Sequence, residues 1–116
     1  MVILDEGFLR TRDLVNADIT HAQAGQGTTT ASQSDTGLET ASADTLNTTT
    51  NTTGSSPASL NIAHTVTDAE AIGDDLSEWE VRMNSSTESF NRTVTAPLAK
   101  TSTQEAQKTT TVEFSQ

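Results

Sequence analysis

Two histidines, His21 and His64, are the first candidates for reactive chemistry in this chain. A histidine pair with a nearby carboxylate can ligate zinc or exchange protons. Neither lies in an HExxH-type spacing, and His64 shares a strand face with Ile62 and Val66, which marks it as a core or interface histidine. Asp68–Asp75 (DAEAIGDD) resembles a calcium loop only superficially. Aligned on the EF-hand pattern, Ile72 takes the fifth ligand position and Trp79 the place of the bidentate glutamate, so the segment reads as a solvated hairpin turn. Gly25-Gln26-Gly27-Thr28-Thr29 lacks both the Gly-Lys-Ser/Thr ending of a phosphate loop and the third glycine of a dinucleotide loop. It reads as a tight loop in which Gly25 and Gly27 are free to take positive φ. No GxSxG is present, and sixteen scattered carboxylates single out no catalytic pair. No catalytic, cofactor-binding or metal-binding set emerges, and the expectation is a protein that is not an enzyme and carries no cofactor. Four Asn-x-Ser/Thr sequons begin at Asn47, Asn51, Asn84 and Asn91; in a surface-displayed protein, Asn47 and Asn51 are the expected glycosylation sites.

The elements that must hold these residues are built from an unusual composition. The chain has 116 residues, one domain's worth, with six Lys+Arg against sixteen Asp+Glu and a formal charge of −10. Leu, Ile, Val and Phe number 21, while Thr (23) and Ser (12) make up about 30% of the chain. So thin an apolar supply lies near the level, roughly 20%, at which a highly charged chain stays disordered. No apolar run approaches the length of a membrane span, and no charged n-region followed by an h-region marks a signal peptide. With no cysteine, disulfide scaffolds and thiolate sites are excluded. Nucleic-acid partners are excluded by sign, because phosphates would repel this surface. Dispersed carboxylates, only two lysines (Lys100 and Lys108) and abundant threonine match proteins that fold in molar salt, where the Debye length falls to about 3 Å and self-repulsion is screened.

Periodicity orders the elements. Apolar residues at Leu4, Phe8, Leu9, Leu14 and Val15 predict a helix over about 5–16, with Asp5 and Glu6 suited to its amino end and Gly7 weakening it. The expected division is a helical arm, 1–17, and a β domain, 18–116. Asp18–Ala24 reads as a strand with Ile19 and His21 on one side, and Gly37–Ala43 as a short strand or helical turn anchored by Leu38. Thr45–Ser59 (TLNTTTNTTGSSPAS) is expected to be a long exposed Thr/Asn/Ser-rich loop, the other reading being two strand edges joined at Gly54. After Leu60 the period is two. Strands are expected at Leu60–Thr67, Glu78–Met83, Phe90–Val94 (ended by Pro97) and Lys108–Phe114, with Asn84-Ser85-Ser86 as a turn. The expected fold is all-β, an antiparallel β-sandwich with one short N-terminal helix. Trp79, Val81, Met83, Phe90, Val94, Val112 and Phe114 are the expected core or subunit interface. Burial between subunits would supplement so small a core.

Two patches then carry a resemblance. The first runs Ile19-Thr20-His21-Ala22, Gly25-Gln26-Gly27-Thr28-Thr29 and Asp35-Thr36-Gly37-Leu38-Glu39. The second runs Leu76-Ser77-Glu78-Trp79-Glu80-Val81, Phe90-Asn91-Arg92-Thr93-Val94 and Pro97-Leu98-Ala99-Lys100-Thr101. In order, they resemble the strand, "GxGTT" loop, "DTxL" element, Glu-bearing strand, Arg-bearing strand and closing Lys strand of a family of small all-β virion proteins of tailed viruses. The match spans most of the chain from Ile19 and departs from the pattern at Trp79–Met83, where the family's Gly-Leu-Phe is replaced. What the resemblance implies, with the acidity, is a structural protein in the particle of a haloarchaeal tailed virus, made in the host cytoplasm. The expected place is the capsid exterior, as a decoration or turret subunit, with a tail or baseplate accessory as the alternative. Expected partners are copies of itself, other virion proteins and the host cell surface. A secreted halophilic adhesin module is the alternative of another class.

Overall fold

The computed structural model describes all 116 residues, Met1–Gln116. Helix α1 (Asp5–Asp18) opens the chain, with Asp5 and Glu6 in its first turn where carboxylates meet the positive end of the helix dipole. Phe8, Leu9, Arg12, Val15 and Asn16, at helical spacing, form its half-buried face. Arg12 Nη1 donates to the Gly54 carbonyl (2.8 Å) and Val15 packs beside the core, which together fix the helix to the end of the β layers. The helix runs two residues beyond the expected end, and the chain turns directly into the first strand.

Seven strands follow: β1 (Ile19–Gly25), β2 (Asn47–Thr48), β3 (Thr50–Ser55), β4 (Ala58–Val66), β5 (Asp75–Met83), β6 (Glu88–Ala99) and β7 (Ala106–Phe114). They form two antiparallel sheets, ordered β2-β1-β5-β6 and β3-β4-β7. The chain is thus mostly β with one N-terminal helix, compatible with a β-sandwich. Strand β4 alternates without exception: Ala58, Leu60, Ile62, His64 and Val66 are buried and the residues between them are half-exposed. Ile19, Ala22 and Ala24 of β1 and Trp79 and Val81 of β5 supply the facing side chains, with Met83, Val112 and Phe114 packed half-buried around them.

Three expectations are corrected here. Thr45–Ser59 is no loop: it supplies a 3-10 turn (Ala43–Thr45), β2, β3 and the start of β4. Threonine's branched side chain suits a pleated surface, and pairing with β4 along the whole of β3 satisfies a backbone that the apolar pattern could not reveal. The hairpin turns at Ser56-Pro57, a cis peptide, because Gly54 is still paired with Ser59. Secondly, β6 does not end at Pro97. It is an edge strand, and its register jumps from Leu98 opposite Leu76 to Val94 opposite Glu78, so Pro97 lies in a bulge where no ladder donor is required. Thirdly, Phe90 and Val94 lie outside the core, which leaves them only the subunit-interface half of the expected role. Cross-strand partners share a face, and Val81↔Asn91 and Trp79↔Thr93 put Asn91 and Thr93 on the inner side. Val94, opposite Glu78, is on the outer face, half-buried, and Phe90 stands exposed beside a second bulge.

Candidate functional site

The outer face of the four-stranded sheet carries Glu78 and Glu80 of β5, which are 0% and 1% exposed. What covers them is the connection from β1 to the 3-10 turn, residues 26–42, which folds back across the sheet. Its anchors are Gln26 N–H to the Thr40 carbonyl (2.8 Å) and Ser42 N–H to the Ala24 carbonyl (2.9 Å). Glu78 organises the cover. Its Oε2 accepts N–H bonds from Gly27 (2.7 Å) and Thr40 (2.8 Å); its Oε1 accepts the N–H of Glu39 (2.8 Å) and Arg92 Nε (2.8 Å). Burial alone would raise this carboxyl's pKa, but the Thr40 N–H, Arg92 and the Glu39 and Gly27 N–H groups outweigh it and hold it below the ordinary 4.5. Arg92, its side chain 5% exposed, also reaches Asp35 through Nη1 (3.1 Å), and that carboxyl is held below its usual range first by the Ser32 N–H. The adjacent Glu80 pairs with Arg82 Nη1 (2.6 Å). Two buried atoms of this knot, Glu80 Oε2 and Arg92 Nη2, have no partner.

Where a tight loop is expected, Gly25 ends β1 in a bridge to Ala41 and Gln26 pairs with Thr40, so the chain stays extended past both glycines. Positive φ is not involved. A Cβ at Gly27 would lie 2.6 Å from Glu39 Cβ and 2.7 Å from the Glu78 carboxyl carbon, and one at Gly25 would strike the Thr40 carbonyl. Glycine is required by how closely the backbone approaches Glu78.

A second polar cluster closes the Asp68–Asp75 turn, where Ala71 and Gly73 take positive φ. Asp44 accepts the Ala71 N–H (3.0 Å) and Asp74 the Ser42 hydroxyl (2.8 Å), so the acidic side chains fasten the turn to the 3-10 segment. Lys100 is 2% exposed, and its ammonium donates to the carbonyls of Thr101 (2.8 Å) and Asp68 (3.4 Å).

The two histidines do not converge. A register shift between Ile19 and His21 turns Ile19 inward and places His21 opposite Arg82, on the outer face, which corrects the shared side expected from alternation. His64 is buried in the core, edge-on to Trp79 (centroids 6.2 Å apart), with Nε2 2.9 Å from the Thr45 carbonyl. Burial lowers its pKa below 6.5 against the opposing pull of the Thr45 carbonyl and Glu70.

Asn47 and Asn51, the expected glycosylation sites, are half-buried with their side chains engaged. Asn47 Nδ2 donates to the Thr65 carbonyl and Glu70, and Asn51 Nδ2 to Asn16 and the Ile19 carbonyl. A glycan would have to displace those bonds. The sequon asparagine on the surface is Asn84, in the β5–β6 turn.

Alternation sets Glu78, Glu80 and Arg82 on the face opposite Trp79 and Val81, and gives no sign that Glu78 and Glu80 are buried or that Asp35 and Arg92 join them. Glu78 and Lys100 are buried polar anchors, and the Arg92 side chain is 5% exposed. Comparisons with protein-family models, curated proteins and solved structures find no match to this chain.

Proposed function

We propose that this protein is a non-enzymatic structural subunit of a tailed-virus particle, built on a β-sandwich and displayed on the capsid exterior. A tail or baseplate position is the second place within the same class. The observation that carries the reading is the free edge of β7. Nine residues pair with β4 without a bulge, and none of the turn, loop and cap backbone bonds engages the other side of the strand. Edges of monomeric proteins are blunted by shortness, bulges, proline or several charges. β2 has two residues, β3 six, and β6 has both bulges and Pro97, whereas the nine residues of β7 carry two charges, Glu113 and Lys108, the latter's ammonium sitting on the Thr109 carbonyl (3.2 Å). A second copy laid antiparallel along β7 would extend the three-stranded sheet across a two-fold axis. An exterior position follows from charge, since a surface at −10 is repelled by packaged nucleic acid.

The test is light scattering in molar KCl with Thr111→Pro as the edge-blocking variant. Thr111 is exposed in the middle of β7, and a proline there removes a backbone donor and blunts the edge. The expected result is an oligomer for the parent and a monomer for T111P, with matching circular dichroism. A parent that stays monomeric at all concentrations in molar salt, and is absent from purified particles of the encoding virus, overturns the proposal.

A further inference from the structure

We infer that the cleft between the 31–35 stretch of the covering loop and the start of β6 is a binding site for a small neutral saccharide. It lies on the outer face of the four-stranded sheet, away from the β7 edge, and the inference stands independently of the assembly proposal.

The cleft encloses about 450 Å³, and its working residues are Gln33, Asp35, Ser89, Phe90, Asn91 and Arg92. That volume falls in the range of small-ligand pockets, about 300–1,000 Å³, which pair an apolar surface with a few converging polar groups. Phe90 supplies the apolar surface. In a chain with three phenylalanines, folding alone would bury it, yet it is 36% exposed. The cause is the register shift in which Ser89 pairs with Arg82 and Asn91 with Val81, leaving Phe90 as the extra residue. Bulges of this kind re-aim side chains. An exposed ring offers its electron-rich face to the C–H face of a pyranose.

The polar groups have unused capacity of both kinds. Gln33 has no hydrogen-bond partner within the chain. Asp35, ionised and fixed by Ser32 N–H and Arg92 through Oδ2, receives on Oδ1 only a long contact from the Ser32 hydroxyl (3.4 Å). Behind the wall, Arg92 Nη2 is buried without a partner. Vicinal hydroxyls, each a donor and an acceptor, match this mixed set; a purely accepting ligand does not.

Charge decides between neutral and acidic ligands. Arg92 is already shared by Glu78 and Asp35, and Arg82 by Glu80, so the neighbourhood holds an excess of carboxylate. A phosphate, uronic acid or sialic acid would meet repulsion.

The test titrates the ¹⁵N-labelled full chain, in molar KCl, with glucose, galactose, mannose, N-acetylglucosamine and their disaccharides. Glucuronic acid is the acidic comparison. The expected result is a saturable shift of the Gln33, Asp35, Asn91 and Arg92 amides with at least one neutral sugar, at a Kd in the millimolar range. Phe90→Ala should weaken it at least tenfold and Gln33→Ala by a smaller factor, both with unchanged dispersion of the remaining amides. No saturable shift with any neutral sugar overturns the inference. So does binding that survives both substitutions, or tighter binding of glucuronic acid.

Discussion

Replacing Glu78 with glutamine tests whether one buried carboxylate holds the 26–42 cover in place. The substitution keeps the volume and removes the charge. Glu78 now accepts four N–H bonds, two on each oxygen, and an amide has one accepting end. Whichever way the amide turns, two donors face its NH₂ group: either the N–H groups of Gly27 and Thr40, or that of Glu39 and Arg92 Nε. Two bonds to a charged acceptor at about 1.5–3 kcal/mol each are lost, and Arg92 keeps only Asp35 as a counter-charge. The expected cost is about 3–5 kcal/mol, in line with breaking a buried ion pair. For a domain this size that lowers Tm by roughly 10–20 °C. Thermal melts in molar KCl followed by the fluorescence of the lone tryptophan, Trp79, read the cost. Hydrogen exchange at the Gly27, Glu39 and Thr40 amides reads its location. The exposed Glu113→Gln is the control. A Tm within about 3 °C of the parent, with undiminished protection at those three amides, refutes the reasoning. Acid gives a parallel check. The native pKa of Glu78 lies below 4.5, so the stability it provides is complete above that pH and is lost as pH falls toward the native value. E78Q should lack this acid-side slope.

Further outcomes are expected elsewhere. The Trp79 ring is buried with Nε1 on the Thr95 hydroxyl (3.0 Å), so native emission should be blue-shifted and move red on unfolding; an already solvent-like native spectrum contradicts the packing. Leu60→Ala, in the interior of β4, should cost about 2–5 kcal/mol in a urea melt, and a loss under about 1 kcal/mol would mean the two layers do not close there. Gly27→Ala should release the cover, seen as raised amide exchange at Glu39 and Thr40; unchanged exchange would refute the close approach of backbone to Glu78. His64 is held below 6.5, so the unfolded chain takes up its proton first and stability should fall as pH drops from 6.5 toward the native value. His64→Phe should remove that part of the pH slope whatever its own offset, and a slope that persists assigns the effect to another group.

Period-two patterning made β4, β5 and β7 legible because each has one face on the apolar layer. β3 was not, because the residues opposite Ile62, Leu60 and Ala58 (Asn51, Thr53 and Ser55) are polar, and only pairing with β4 defines them as a strand. The bulges in β6 shifted Phe90 and Val94 to faces that strict alternation cannot assign, since a register jump leaves no mark in local sequence. Alternation did place Glu78 and Glu80 opposite Trp79 and Val81. Their burial was hidden because it depends on a loop some forty residues upstream. The Gly25-Gln26-Gly27 spacing was a real signal of tight packing; what it packed against was long-range information. The exposed sequon at Asn84 could have been preferred to Asn47 and Asn51, because a hairpin tip is a surer surface than a threonine tract of unknown pairing.

The interior also sorts charge. Lys100 is buried, and the Arg92, Arg12 and Arg82 side chains are 5%, 12% and 20% exposed, while only Glu78 and Glu80 of the sixteen carboxylates are buried. Fourteen carboxylates therefore remain outside the interior, with Arg10 and Lys108 the only other cations to offset them. The folded chain consequently presents a harsher anionic skin than its net charge implies. If copies pack together as proposed, concentrated salt screens the repulsion between their surfaces and fresh water restores it, so dilution alone would serve as a command to dismantle.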